Sequence, residues 1–216
     1  MSPLVGVAVI GLWLGLVLLL ALVARRRWPG QKELSRKIVH IGTGPVLPLA
    51  WWLQIPAALA VPIAMAVTVV ALINHRWRWL PAVEDVDRHS YGTVAYGLAI
   101  TTLLVLFWPH HPQAACAGVL VMAAADGLAG LIGRATDTPR WQIWGQTKST
   151  AGTLTMAAVS LTVLGLLAWL GPHNPGLASL LAISLLATGL EQLSPWGIDN
   201  LTVPLAVGLS WQWLSP

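Results

Sequence analysis

Long apolar segments alternate with short polar connections along almost the whole chain. Several of these runs reach the roughly 20 residues that an α-helix needs to cross the hydrocarbon core of a bilayer. The pattern predicts an all-α fold, a polytopic integral membrane helical bundle with eight transmembrane helices. Seven remain an alternative, because the second run is short and interrupted by Pro45 and Pro48 and the seventh is also short. The runs fall at about 3–24, 38–53, 55–74, 92–108, 114–133, 151–170, 176–190 and 199–214.

Composition supports the same interpretation. Of the 216 residues, 56% are hydrophobic and 9% are charged, against about 25% charged in ordinary soluble domains. We therefore expect residues 1–216 to form a single membrane-embedded domain whose chemistry lies in loops and at helix ends. Cys116 is the only cysteine, which excludes an intrachain disulfide and a cysteine-based zinc site.

The basic residues define an orientation. All 12 Lys and Arg residues lie in the connections after the first, third and fifth apolar runs, whereas the connections after the second, fourth and sixth carry no charge. The positive-inside rule then predicts that the odd-numbered connections are cytoplasmic and that the N-terminus is outside. Such confinement to short loops is unlike a nucleic-acid-binding stripe, so we expect no nucleic acid partner.

The first apolar run is expected to be a retained helix. No basic residue precedes it, and Arg25, Arg26 and Arg27 follow it, which is the reverse of a secretory signal. Since no transit-peptide-like segment precedes this run, we expect a bacterial or cyanobacterial membrane.

Asp126 lies inside the fifth apolar run, where a carboxylate costs roughly 2.5–3.5 kcal/mol on insertion scales. Small residues follow it along one helix face. This stripe alone is typical of a packing seam between helices, with Asp126 paired to Arg134. The carboxylate in the same stripe favours a ligand site instead. The small residues are Gly127, Ala129, Gly130 and Gly133.

Lys148, Ser149, Thr150 and Gly152 open the sixth apolar run. A helix N-terminus offers free N–H groups and a positive dipole end, to which the lysine adds charge and the two hydroxyl residues add donors. This lysine element is not a Walker A loop, because Thr147 stands where that loop requires glycine. The alternative is N-capping by Ser149 or Thr150 beside a lysine that sets topology.

Two further groups begin apolar runs. For Arg36, Lys37 and His40 the alternative to a binding role is cytoplasmic charge with an interfacial histidine. For Asp199 and Asn200, helix N-capping and metal binding are equally supported. An acidic loop is more typical of a solvated surface than of a metal cluster; it contains Glu84, Asp85 and Asp87.

In chain order, these elements resemble the CTP-dependent polyprenol kinase family. The pattern from Asp126 to Gly133, followed by the lysine element ending at Gly152, is similar to the CTP-binding signature of dolichol kinase. Arg36–Lys37-x-x-His40, Tyr91–Gly92 and the segment from Asp199 to Pro204 look like elements of phytol kinase and farnesol kinase. Thr147 and Ala151 stand where dolichol kinases have lysine and glutamate, and the chain is short, so the resemblance is to the phytol/farnesol branch.

The resemblance implies an integral membrane kinase that phosphorylates an isoprenoid alcohol from CTP or UTP, with phytol as the favoured alcohol and the active site on the cytoplasmic side. It implies Mg²⁺ bound by Asp126 with Asp199, and a base that is either His40 or Asp199. The remaining candidates would bind the nucleotide and its phosphates; they are Arg36, Lys37, Gly127, Ala129, Gly130, Gly133, Lys148, Ser149, Thr150, Gly152 and Asn200.

Two other functions remain open from the sequence. A cytidylyltransferase of the CDP-diacylglycerol synthase type would also join CTP to a membrane lipid, but with release of pyrophosphate. A non-enzymatic transporter or scaffold would more often carry ionisable residues deep in several helices, whereas Asp126 is the one clear deep acid here.

Overall fold

Each predicted apolar run corresponds to helical structure in the computed structural model, which describes residues 2–77, 79 and 90–215. The second run divides into two short helices. The helices are α1 Pro3–Arg27, α2 Lys32–Thr43, α3 Val46–Trp52, α4 Ala57–Trp77, α5 Gly92–Phe107, α6 Pro112–Ala135, α7 Thr150–Leu170, α8 Leu177–Leu193 and α9 Asp199–Leu214.

The expectation of a helical protein is confirmed, with two local differences. The break between α2 and α3 falls at Gly44 and Pro45, because proline has no N–H to continue the helical hydrogen bonding. A small antiparallel hairpin, which an all-α fold does not include, joins α6 to α7 through β1 (Arg140–Ile143) and β2 (Gln146–Ser149). Its turn residues Trp144 and Gly145 have φ of 51° and 73°, as a two-residue type I′ turn requires.

Four helices are long and apolar enough to cross a membrane: α1, α4, α6 and α7. In α1, α4 and α7 at most 22% of the apolar window is buried, whereas in α6 the share is 67%. Large apolar side chains such as Leu12 and Trp169 are more than 70% exposed. Apolar surface this extensive is typical of helices that face lipid, so the structure supports membrane association.

Helix α6 forms the centre of the protein, and its small residues explain why. Ala115, Cys116 and Ala117 are fully buried, and a methyl group added at Gly118 would collide with the backbone carbonyl of Pro204 in α9. Small side chains allow helices to approach closely in membrane bundles. The other helices therefore pack around α6, and groups on α6 reach the interior.

The middle of α6 has an unusual backbone. Residues Val121–Asp126 form a π-helical segment between two α-helical parts. Such segments are rare and occur frequently at functional sites, because the wider turn changes the face that the following residues present. In this chain the segment ends at Asp126, the carboxylate that the sequence analysis singled out.

Candidate active site

Asp126 is buried between α6 and α2, where it contacts two basic side chains. The Lys37 ammonium donates to Asp126 Oδ2 at 2.6 Å and to the Asp126 carbonyl at 3.1 Å. His40 Nε2 lies 3.2 Å from the same Oδ2 and 3.0 Å from the Met122 carbonyl. Among the described residues Asp126 does not pair with Arg134, the alternative drawn from the sequence; an Arg134 guanidinium nitrogen lies 4.0 Å from a carboxylate oxygen of Glu33 instead.

Lys148 makes a second buried ion pair. Its ammonium donates to Glu191 Oε1 at 2.5 Å and to the Glu191 carbonyl at 2.7 Å. Lys148 lies on strand β2, just before the helix that it was expected to open. The second carboxylate oxygen of Glu191 accepts from Gln192 Nε2 at 2.8 Å, so both oxygens of this buried acid have partners.

Helix α7 begins at Thr150, and Ser149 is its N-cap. Ser149 Oγ accepts from the Gly152 N–H at 3.1 Å, so the capping alternative from the sequence is confirmed for Ser149. The Thr150 hydroxyl instead donates to the Pro139 carbonyl at 3.3 Å, towards the hairpin. The two preceding N–H groups of this helix end also have partners: the Thr150 N–H donates to the Pro139 carbonyl at 3.0 Å, and the Ala151 N–H donates to Thr138 Oγ1 at 3.3 Å. A binding role for the helix end therefore rests on its positive dipole end and not on free N–H groups.

Three carboxylates converge in the interior, and two of them are the acids of these ion pairs. Asp126, Glu191 and Asp199 each offer an oxygen within 4.8 Å of the others, and all three residues are buried. Carboxylate oxygens are the ligands that Mg²⁺ and Ca²⁺ prefer. The expected pair of Asp126 and Asp199 is thus joined by Glu191, which the sequence analysis did not assign to the site.

A cavity of about 440 Å³ surrounds this carboxylate cluster. Most residues that the sequence indicated line it, and three do not: His40, Gly127 and Thr150. The Glu84, Asp85 and Asp87 alternative lies outside the described residues. The residues that line it as expected are Arg36, Lys37, Asp126, Ala129, Gly130, Gly133, Lys148, Ser149, Gly152, Asp199 and Asn200.

The glycine stripe serves both packing and the cavity. A Cβ on Gly127 would collide with Ile41 of α2, and one on Gly133 would lie 2.7 Å from Ser149 Oγ at the start of α7. Gly130 and Gly133 also line the cavity. The absence of side chains on the stripe therefore lets α2 and α7 approach α6 closely, and the same stripe lines the cavity; ligand binding by the stripe stays a prediction.

The Tyr91–Gly92 element lies against the segment that precedes α9. The Tyr91 N–H donates to the Trp196 carbonyl at 3.0 Å, and a Cβ on Gly92 would lie 3.2 Å from the Asn200 amide nitrogen. Two motifs more than 100 residues apart in the sequence are thus neighbours beside Asp199.

Comparison with known proteins places the chain in a family. The phytol kinase of Synechocystis sp. is 40% identical to this chain over 218 residues, which cover 97% of this chain and 94% of that protein. The chain belongs to the phytol kinase family. This confirms the phytol/farnesol branch to which the sequence motifs pointed.

Plant relatives of this phytol kinase family member are more distant. Farnesol kinase, chloroplastic, of Arabidopsis thaliana is 28% identical over 58% of this chain and 44% of its own length. Probable phytol kinase 1, chloroplastic, of Glycine max is 29% identical over 82% of this chain and 65% of its own length. No family model matches the sequence, and no solved structure matches it.

In this phytol kinase family member the cavity has a positive balance of charge. Five cationic side chains line it together with the three carboxylates. Guanidinium and ammonium groups bind phosphate oxygens through charge-assisted hydrogen bonds. The arrangement therefore suits an anion with several phosphates and its cation. The cationic residues are Arg36, Lys37, Arg134, Arg140 and Lys148.

The hairpin forms one wall of the cavity, and the sequence analysis did not foresee it. Arg140, Gly145, Gln146 and Thr147 all line the space. The signal that could have indicated a hairpin was the glycine after Trp144, between two short stretches with alternating side chains. Glu191 could have been found by the argument used for Asp126, since it is the only charged residue in α8.

Proposed function

We propose that this chain is a phytol kinase, which transfers the γ-phosphoryl group of CTP, or of UTP, to the hydroxyl group of an isoprenoid alcohol. Phytol is the alcohol that the 40% identical relative's name supports. The observation that carries the proposal is the arrangement of Asp126, Glu191 and Asp199 between the lysines Lys37 and Lys148. Three acids and two lysines together form the kind of site that phosphoryl transfer requires.

We further propose that the chain is one membrane-embedded domain with seven or eight transmembrane helices, the N-terminus outside and the site on the cytoplasmic side. The confinement of all Lys and Arg residues to the odd-numbered connections supports this orientation. The charged nucleotide would then enter from the cytoplasm, and the apolar alcohol would enter from the bilayer.

The residues present fit a bound Mg²⁺ ion, since three carboxylate oxygens lie within 4.8 Å of one another. Asp126, Asp199 and Glu191 would hold the ion. When bound, it would neutralise charge on the phosphate oxygens during transfer.

The two lysines would bind the phosphates. An ammonium group has three donors, and Lys37 and Lys148 each make two of the described hydrogen bonds, to one carboxylate and one carbonyl. Among the described contacts, the third N–H of each remains available for a phosphate oxygen. Ser149 and Gly152 line the cavity at the N-terminus of α7, which adds the positive end of the helix dipole.

In the transfer, the alcohol oxygen bonds to the γ-phosphorus while the bond from that phosphorus to the β–γ bridging oxygen breaks. The electron pair of that bond leaves on CDP, and the hydroxyl proton is released. His40 Nε2 lies 3.2 Å from Asp126 Oδ2 and 3.0 Å from the Met122 carbonyl, so with its proton on Nε2 it would orient Asp126. We assign the acceptance of the hydroxyl proton to Asp199.

The test uses purified protein with Mg²⁺, each nucleoside triphosphate in turn, and geraniol, farnesol, geranylgeraniol or phytol. The lipid product is identified by mass spectrometry and the nucleotide product by chromatography. We expect phytyl phosphate and CDP. Pyrophosphate with a CDP-linked lipid would indicate a cytidylyltransferase instead, and no nucleotide turnover with any alcohol would favour a transporter or scaffold.

A further inference from the structure

A second, smaller cavity adjoins the polar one. It has a volume of about 210 Å³ and lies between α2, α4 and α5. Arg36 and Asn200 line both cavities, so the two spaces meet at these residues. The walls of the smaller cavity are mainly apolar or small; they include Val39, Val67, Val70, Ala71, Gly97 and Ile100. We call this smaller cavity the apolar groove.

The outer side of the apolar groove faces the lipid-exposed surface of α4. Val67 and Val70 line the groove and are 53% and 57% exposed. Helix α4 is a candidate membrane span with only 6% of its apolar window buried. The hydrocarbon chain of a lipid in the bilayer would therefore reach the groove directly between α4 and its neighbours.

The inner side of the apolar groove leads to the carboxylate cluster. His40 lines the groove, and its Nε2 atom lies 3.2 Å from Asp126 Oδ2. The His40 ring also packs against Tyr96 of α5, another lining residue, with ring centroids 4.7 Å apart and the planes tilted by 37°. At the junction, Asn200 Nδ2 donates a hydrogen bond to Asp199 Oδ1 at 3.1 Å. The groove therefore changes from apolar walls to polar groups towards the site.

The walls of the apolar groove are held in a fixed relation to one another. Thr68 of α4 and Thr101 of α5 are hydrogen-bonded at 3.0 Å. A Cβ on Gly97 would lie 2.9 Å from Thr68 Oγ1, so α4 and α5 approach closely at this glycine. Ligand pockets are usually preformed, with apolar walls and a few polar groups that fix orientation, and the groove has both properties.

We propose that the apolar groove binds the part of the isoprenoid chain next to the hydroxyl group, with the hydroxyl at Arg36 and Asn200. The rest of the chain would extend past Val67 and Val70 into the bilayer. This inference rests on the proposed function for the class of its ligand. A branched apolar chain matches the valine, isoleucine and alanine walls. Among the described residues, Arg36 and Asn200 line both the groove and the polar cavity, and the hydroxyl end would face them.

The test is photo-crosslinking of the purified protein with a phytol analogue that carries a diazirine close to the hydroxyl group. Labelled peptides are identified by mass spectrometry, with unlabelled phytol as competitor. We expect labels on α2, α4 and α5 at groove residues, and their loss when Ala71 is changed to phenylalanine. Ala71 lines the groove, so a larger side chain at this position fills the space that the ligand would occupy.

Ala66→Phe is the matched control, because Ala66 lies on the same helix, is exposed and does not line the groove. Ala71→Leu with Ala66→Leu provides a smaller step if Ala71→Phe does not fold. In the turnover assay we expect Ala71→Phe to raise the KM for phytol at least tenfold and to leave the KM for the nucleotide unchanged.

Labelling does not depend on turnover, so the two proposals fail separately. Competed labels in the groove without turnover of any alcohol would overturn the kinase proposal and leave the groove as a lipid site. Two outcomes would overturn the proposal for the apolar groove while phytol phosphorylation is normal. One is labelling at residues outside the groove, and the other is equal behaviour of Ala71→Phe and Ala66→Phe.

Discussion

Lys37 and Asp126 lie 89 residues apart in the sequence, and their side chains meet at 2.6 Å in the interior. This contact explains how a carboxylate is tolerated inside an apolar helix. A buried charge is stable only when it is paired and hydrogen-bonded, and Asp126 also has His40 at 3.2 Å. The pair joins α2 to the end of the π-helical segment of α6, so it fixes the carboxylate that begins the glycine stripe.

We expect Asp126→Asn to reduce turnover by more than about 100-fold, the loss typical when a charge that stabilises the transition state is removed. The substitution also leaves the Lys37 ammonium without its carboxylate, and breaking a buried ion pair costs about 3–5 kcal/mol. Turnover and thermal unfolding in detergent are therefore measured on the same preparation.

The double variant Lys37→Met with Asp126→Asn separates these two effects. Because it removes both charges of the pair, we expect it to unfold at a higher temperature than Asp126→Asn and to remain inactive. Turnover near that of the wild type in the single variant would contradict the role of Asp126 in the reaction.

Glu191→Gln tests the third carboxylate. Glutamine keeps an oxygen that accepts from Lys148 but leaves this buried ammonium without its carboxylate, so we expect a loss of stability like that of Asp126→Asn and measure the unfolding temperature on the same preparation. The substitution also removes one negative charge from the cluster with Asp126 and Asp199. We expect lower turnover and at least a tenfold higher Mg²⁺ concentration for half-maximal activity, since loss of a ligand charge weakens the binding of a hard cation. The measurement is a Mg²⁺ titration of turnover.

Asp137→Asn makes the same acid-to-amide change at an exposed position in the connection before β1, outside the cavity lining. Its Mg²⁺ titration should match the wild type. If Glu191→Gln also matches the wild type, Glu191 serves only to pair with Lys148.

The sequence predicted the helices and about half of the residues that line the cavity, because both depend on local patterns. Apolar run length indicates a helix that could span a membrane, and Asp126 with its small neighbours is conspicuous within one run. The role of Glu191 depends instead on Lys148, 43 residues earlier, and a single sequence does not show which helix faces meet. The π-helical turn before Asp126 has no distinguishing composition either, since Val121, Met122 and three alanines also suit an α-helix.

The prediction for Ser149 separates helix capping from phosphate binding. Ser149→Ala removes the cap of α7, and we expect a loss of about 1 kcal/mol in the free energy of unfolding. Ser149→Asp retains a capping oxygen but adds a negative charge in the cavity, so we expect near-normal stability with at least a tenfold higher KM for the nucleotide. Unfolding curves and nucleotide titrations measure the two effects.

Ser2→Asp is the control for this change, because Ser2 caps α1 in the same way, with its side chain accepting from the Val5 N–H at 3.4 Å, and it lies outside the cavity lining. Its nucleotide KM should equal that of the wild type. An unchanged KM in Ser149→Asp would show that no phosphate lies near the start of α7.

Gly133→Ala tests the close approach of α6 and α7. The added methyl group would lie 2.7 Å from Ser149 Oγ and 3.3 Å from Gly152 Cα, so the N-terminus of α7 has to move. Overpacking of this kind costs typically about 1–3 kcal/mol, and we expect a lower unfolding temperature together with reduced turnover.

Gly130→Ala provides an intermediate case within the same stripe. Its methyl group would lie 2.9 Å from Lys37 Cε, part of a flexible side chain, so we expect a smaller loss of stability but a clear loss of turnover as Lys37 shifts relative to Asp126. Gly15→Ala is the control: a Cβ at that position of α1 meets nothing within 4 Å, and alanine favours a helix over glycine by roughly 0.5–1 kcal/mol. If Gly133→Ala and Gly130→Ala both behave like Gly15→Ala, the stripe contributes neither to the packing of α6 nor to the cavity, because only close contacts would make these two positions differ from the control.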